Sequence, residues 1–119
     1  MREHETSVVR LCSRRDVVEG TPISVTVEGY ACKLAVYNVG DEFFVTDNRC
    51  THGMATLTDG YQEGGIIECP FHGGAFDIRT GAVAAAPCST PIKTYSVTIE
   101  EGWICVSTDQ LQISDNRPI

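Results

Sequence analysis

Five short runs along the chain alternate apolar with polar side chains or are rich in β-branched and aromatic residues: Val8 to Leu11, Ile23 to Val27, Lys33 to Tyr37, Glu42 to Thr46 and Ser96 to Ile99. Such runs are strand signals, because side chains in a strand point alternately to its two faces. Between and around them fall pairs with turn chemistry, Glu28-Gly29, Gly40-Asp41, Asp59-Gly60, Gly64-Gly65, Thr80-Gly81 and Glu101-Gly102. Their spacing is that of an all-β sandwich or barrel. Only Ser13 to Glu19 carries the signals of a short helical turn, with Ser13 as N-cap and Gly20 as stop. The pattern therefore predicts a mainly antiparallel β fold with little helix, and a polar tail from Ser114 to Ile119 that frays.

Composition narrows the picture. At 119 residues and 42% apolar content the chain is sized for one core, so a single domain is expected over residues 1–119. A formal charge of -7 repels phosphate, which argues against nucleic acid and anionic membrane surfaces and in favour of an electropositive protein partner. The opening MREHETSVVR is charged, and nowhere do about 18 apolar residues run uninterrupted, so a soluble cytoplasmic protein is expected. Six cysteines could suggest a disulfide framework. Without an export signal they read better as metal ligands plus buried thiols.

The chemistry concentrates in the middle of the chain. Cys50-Thr51-His52 is followed, after sixteen residues, by Cys69-Pro70-Phe71-His72, each pair in a glycine-containing stretch. Thiolates are soft donors suited to iron bridged by sulfide, and neutral imidazoles accept iron or zinc. In the common zinc-finger order both cysteines precede both histidines, whereas here the two types alternate. Spacing alone leaves iron and zinc both open.

The segments CTHG at 50 to 53 and CPFHGGAFDIRTG at 69 to 81 resemble the Rieske ferredoxin family. From Phe43 to Val97 the chain is similar to ferredoxin components of bacterial aromatic-ring-hydroxylating dioxygenase systems. This resemblance implies an all-β, Rieske-like antiparallel β-sandwich with a smaller cluster-binding subdomain, about residues 48–90, formed by two loops. It implies one Rieske-type 2Fe-2S cluster, with Cys50 and Cys69 on the inner iron and His52 and His72 on the outer, solvent-facing one. It also implies a one-electron carrier between a flavin-containing, NAD(P)H-dependent ferredoxin reductase and a terminal oxygenase. Such a carrier is a monomer without catalytic residues of its own.

Departures from the family matter as well. Rieske proteins of respiratory and photosynthetic complexes carry a further cysteine in each ligand loop; Ala55 and Phe71 stand at those places here, so no loop disulfide is expected. Gly74 and Phe76 replace a Ser and a Tyr whose hydroxyls would donate towards sulfur. Losing donors disfavours the more negative reduced cluster, so a midpoint towards the low end of the roughly -150 to +300 mV Rieske range is expected. Gly53, Gly73 and Gly74 are read as loop-wrapping glycines, and Pro87 resembles the proline of the segment that covers the cluster.

Cys12, Cys32 and Cys105 are expected to be buried structural thiols, and Trp103 a packing residue. Cys88, beside Pro87, is expected near the cluster but not as a ligand, and His4 is expected to be silent. Two other functions compete. A small subunit of a nitrite reductase-type enzyme would also be a short Rieske-like chain, and a structural zinc module would use the same four ligands. An oxygenase catalytic subunit is excluded, since a 2-His-1-carboxylate site needs two histidines and only His4 remains.

Overall fold

A computed structural model describes residues 7–30, 33–51, 53, 55–71 and 73–111. Among the described residues eleven strands build three antiparallel sheets. The first sheet holds β1 (Val8–Ser13), β11 (Trp103–Ser107) and β10 (Val97–Glu100), in that order. The second runs β2 (Ile23–Thr26), β3 (Lys33–Val39), β4 (Glu42–Asp47), β9 (Thr94–Tyr95). The third runs β5 (Tyr61–Glu63), β6 (Ile66–Glu68), β7 (Ala75–Asp77), β8 (Val83–Ala85).

The second sheet is buried on both faces, and β3 shows why. Leu34 and Val36 enter a core with Val45, Ile104 and Val106, while Ala35, Tyr37 and Val39 enter another with Ile67, Phe76 and Ile78. A strand between two cores must be apolar at successive positions, as Lys33–Val39 nearly is. β4 divides in the same way, with Phe43 and Val45 on the first core and Phe44 on the second. The second core is the one that receives the cysteine-bearing loops.

The five strand signals correspond to β1, β2, β3, β4 and β10, with ends shifted by a residue or two. The expected helical turn is shorter, a 3₁₀ turn over Arg14–Asp16, and Ser13 caps it by accepting from the Arg15 N–H. It stops there because Val17 is buried in the first core. The two-residue turns at Gly40-Asp41 and Glu101-Gly102 have positive φ at both positions, the geometry that matches strand twist in a hairpin. Trp103 lies at the surface, 38% exposed, with the Arg10 guanidinium 5.3 Å above its ring, rather than packing in a core. Among the described residues no helix is long and apolar enough to cross a membrane.

Candidate metal centre

The first loop starts where β4 ends. Lys33 and Lys93 carbonyls accept the Asn48 and Asp47 N–H groups at 2.8 and 3.0 Å, and the Tyr95 hydroxyl donates to Asp47 Oδ1 at 2.5 Å. Asn48, 1% exposed, is hydrogen-bonded throughout. Its Nδ2 donates to Ser24 Oγ and Thr58 Oγ1, both at 3.1 Å, its Oδ1 accepts the Thr58 N–H at 2.9 Å, and its carbonyl accepts the Leu57 N–H at 2.7 Å. A buried amide with its capacity filled behaves as a rigid clamp. Two residues further on comes Cys50.

Cys50 and Cys69 occupy equivalent places in two loops. The Cys50 N–H donates to the Ala55 carbonyl at 2.9 Å, and the Cys69 N–H to the Gly74 carbonyl at 2.7 Å, so each cysteine closes a six-residue loop. His52 sits in sequence inside the first loop and His72 inside the second; both histidines lie outside the described residues. Both cysteines are buried, 3% and 4% exposed, in the core that holds Leu57, Ile67 and Phe76. Phe71, between Cys69 and His72 in sequence, is 66% exposed. The second loop thus presents an aromatic ring outward and its thiol inward.

A third loop, from Pro87 to Lys93, lies against both. Thr51 Oγ1 donates to the Thr90 carbonyl at 2.7 Å, and the Cys88 Sγ is 3.8 Å from the Cys50 Sγ. Cys88 is 3% exposed and belongs to the same core as Cys50 and Cys69. Burial, reinforced by the neighbouring Cys50 and Cys69, pushes its thiol up to about 11. Cys88 thus stands beside Cys50, in the region where it was expected.

The three loop glycines differ in what they do. Gly73 has φ +79, a backbone state that side chains resist, whereas a Cβ at Gly53 would meet nothing within 4 Å. Gly74 is constrained by space: a Cβ there would overlap the Cys88 Sγ and come within 3.1 Å of the Cys88 nitrogen. Phe76 is fully buried in β7 and Ala55 is buried at the end of the first loop, so neither supplies a side-chain donor or a thiol. Cys105 is fully buried, as expected of a structural thiol, whereas Cys12 is only half-buried against the first core; Cys32 and His4 lie outside the described residues. None of the five described cysteines forms a disulfide.

Asn48 had no signal in the sequence, where an Asn in TDNRC reads as an ordinary turn residue. Two thiols converging from matched loops into one dry core are a soft-metal donor pair, with a residue of the right type for a further ligand inside each loop. The model for the Rieske [2Fe-2S] domain matches residues 7–96. The chain belongs to the Rieske [2Fe-2S] domain family. The cofactor of such a domain is one 2Fe-2S cluster, and the buried thiols of Cys50 and Cys69 fit its sulfur-ligated side.

Several relatives of this Rieske domain are ferredoxins. It is 61% identical to the structure of the Sphingomonas yanoikuyae B1 ferredoxin, with a TM-score of 0.83 over 85% of this chain and 98% of that one. It is 53% identical over 85 residues to the ferredoxin component of the naphthalene 1,2-dioxygenase system of Pseudomonas putida, covering 71% of this chain and 80% of the relative. A structure of reduced oxygenase in complex with oxidized ferredoxin, from carbazole 1,9a-dioxygenase, matches at 41% identity and a TM-score of 0.80, covering 90% of this chain and 95% of that one.

Proposed function

We propose that this Rieske domain is a one-electron carrier of an aromatic-ring-hydroxylating dioxygenase system, with its cluster held by Cys50, His52, Cys69 and His72. It takes electrons from a flavin-containing, NAD(P)H-dependent ferredoxin reductase and passes them to a terminal oxygenase, as a cytoplasmic monomer folded as one domain. The observation that carries this reading is the pairing of Cys50 and Cys69 in loops closed by the same backbone bond and buried in the same core. The ferredoxin names of the relatives, and the oxygenase–ferredoxin complex among them, support the choice of system and partner.

The bound cluster supplies one-electron redox chemistry, and no substrate bond is broken. The chain's part is to hold the ligands and shield the thiolate side. Cys50 and Cys69 point into a core that excludes water, while the exposed Phe71 beside His72 in sequence offers an apolar contact for transient docking. The charge of -7 suits a basic partner surface.

The direct test mixes the anaerobically reduced protein with the oxidised terminal oxygenase of its host's dioxygenase system in a stopped-flow spectrophotometer. Rapid reoxidation of the carrier with matching reduction of the oxygenase is expected. Failure to reduce the oxygenase, with transfer instead to a nitrite-reductase catalytic subunit, would overturn the assignment.

A further inference from the structure

Cys88 is not one of the four proposed ligands, yet its sulfur stands beside the sulfur of one. Its Sγ lies 3.8 Å from the Cys50 Sγ, within hydrogen-bond range for a pair of sulfurs. It is held there from two sides. The Thr51 hydroxyl bonds the Thr90 carbonyl and ties the third loop to the first. Gly74, with no side chain, leaves the space that Cys88 fills: a Cβ at 74 would overlap the Cys88 Sγ and stand 3.3 Å from its Cβ. A thiol packed only as a small apolar group has no need of a sulfur neighbour. This one is aimed at a sulfur, in a pocket that a single added carbon would close.

We propose that Cys88 donates its thiol hydrogen to the Cys50 sulfur and makes the cluster easier to reduce. The proposal rests on Cys50 being a cluster ligand. In the bare pair either sulfur could donate. A Cys50 bound to iron is a thiolate with no hydrogen to give, which fixes the direction from Cys88 to Cys50. Thiols are weak donors, but a bond to an anionic acceptor in a buried, low-dielectric setting is strengthened. Reduction adds negative charge to the cluster and its sulfurs, so the bond is stronger in the reduced state. The third loop thus supplies a donor that neither Gly74 nor Phe76 can, and Cys88 acts as a positioning and tuning residue through Cys50.

The test is the midpoint potential of the cluster-loaded protein and its Cys88→Ala and Cys88→Ser variants, followed by the electron paramagnetic resonance signal of the reduced state. Ala removes the donor and should leave a smaller reduced fraction at a fixed applied potential, by up to about tenfold, equivalent to about 59 mV for one electron. Ser keeps a donor and should lie above Ala. Equal midpoints for all three proteins, or equal shifts in Ala and Ser, would overturn the proposal by assigning Cys88 to packing alone.

The unmutated protein offers a readout that needs no variant. Its oxidised-minus-reduced infrared difference spectrum should contain an S–H stretching band that moves to lower frequency on reduction, and a silent S–H region would overturn the proposal. Absence of a Rieske signal from the unmutated protein would instead show that the cluster assignment itself had failed.

Discussion

Asn48 and Thr58 hold each other by two hydrogen bonds across the base of the first ligand loop: the Thr58 N–H donates to Asn48 Oδ1 at 2.9 Å, and Asn48 Nδ2 donates to Thr58 Oγ1 at 3.1 Å. Replacing Asn48 with Ala takes the acceptor from the half-buried Thr58 N–H and the amide donor from the Thr58 and Ser24 hydroxyls, a loss of about 2 kcal/mol. Denaturant titration of Asn48→Ala should show that loss, and the variant should release iron faster than the parent when challenged with chelator. Stability equal to the parent's would mean that the clamp is incidental.

Gly74 and Cys88 share one volume, which makes a paired substitution informative. Gly74→Ala should give little cluster-loaded protein, because its Cβ overlaps the Cys88 Sγ. Adding Cys88→Ala removes that sulfur while the Cys88 nitrogen and Cβ remain close, so the double variant should recover part of the loading. Iron and sulfide per chain are the measurement; no recovery would point to backbone crowding as the whole effect.

Alkaline pH should destabilise the fold, and Tyr37 should account for part of the slope. Its hydroxyl is 2.9 Å from Thr46 Oγ1, which itself donates to the Asp47 carbonyl, so Tyr37 is the donor of the pair. Burial raises its pKa above the ordinary 10.0; the rise is offset in part only once the phenolate has formed and Thr46 Oγ1 turns to donate to it. The folded state therefore keeps the phenol neutral while the unfolded chain ionises. The stabilisation is present below about pH 10, the unfolded value, and is lost as pH climbs towards the higher folded one. Tyr37→Phe should cost about 1 kcal/mol at neutral pH through the lost bond. Its stability should then fall less steeply than the parent's above about pH 10, as urea midpoints would show.

Electron delivery should be salt-sensitive. A carrier of charge -7 attracts a basic docking surface over about 10 Å at 0.1 M salt and over about 3 Å at 1 M. Stopped-flow second-order rates with the oxygenase should fall several-fold or more across that range. Rates independent of salt would argue for docking through apolar contacts such as Phe71.

Most of the longer strands and the hairpin turns were legible because each has a local signature, whereas the five-residue β11, buried at the successive positions Ile104, Cys105 and Val106, shows no alternation and was missed. Alternation marks Ile23–Thr26, and Gly40-Asp41 and Glu101-Gly102 adopt the positive φ their composition suggests. The strands β5 to β8 were not legible: each is three residues long, too short for a two-residue period to register. Their pairing is set by the core around Ile67 and Phe76, a tertiary cause. The site divides along the same line. Cys50 and Cys69 stand out by type and spacing, and the family resemblance already put Cys88 in the neighbourhood, whereas the burial of Asn48 and the direct sulfur contact of Cys88 with Cys50, 38 residues apart, arise only when the loops pack together.

The central claim is mixed ligation of one cluster by Cys50, Cys69, His52 and His72. The measurement that tests it most directly is metal and sulfide analysis with electron paramagnetic resonance of the dithionite-reduced protein, beside His52→Ala and His72→Ala. Two iron and two sulfide per chain, a reduced signal of low average g value, and loss of that signal in both variants is the predicted result. Colourless protein holding zinc, or a histidine variant with the full signal, would contradict it.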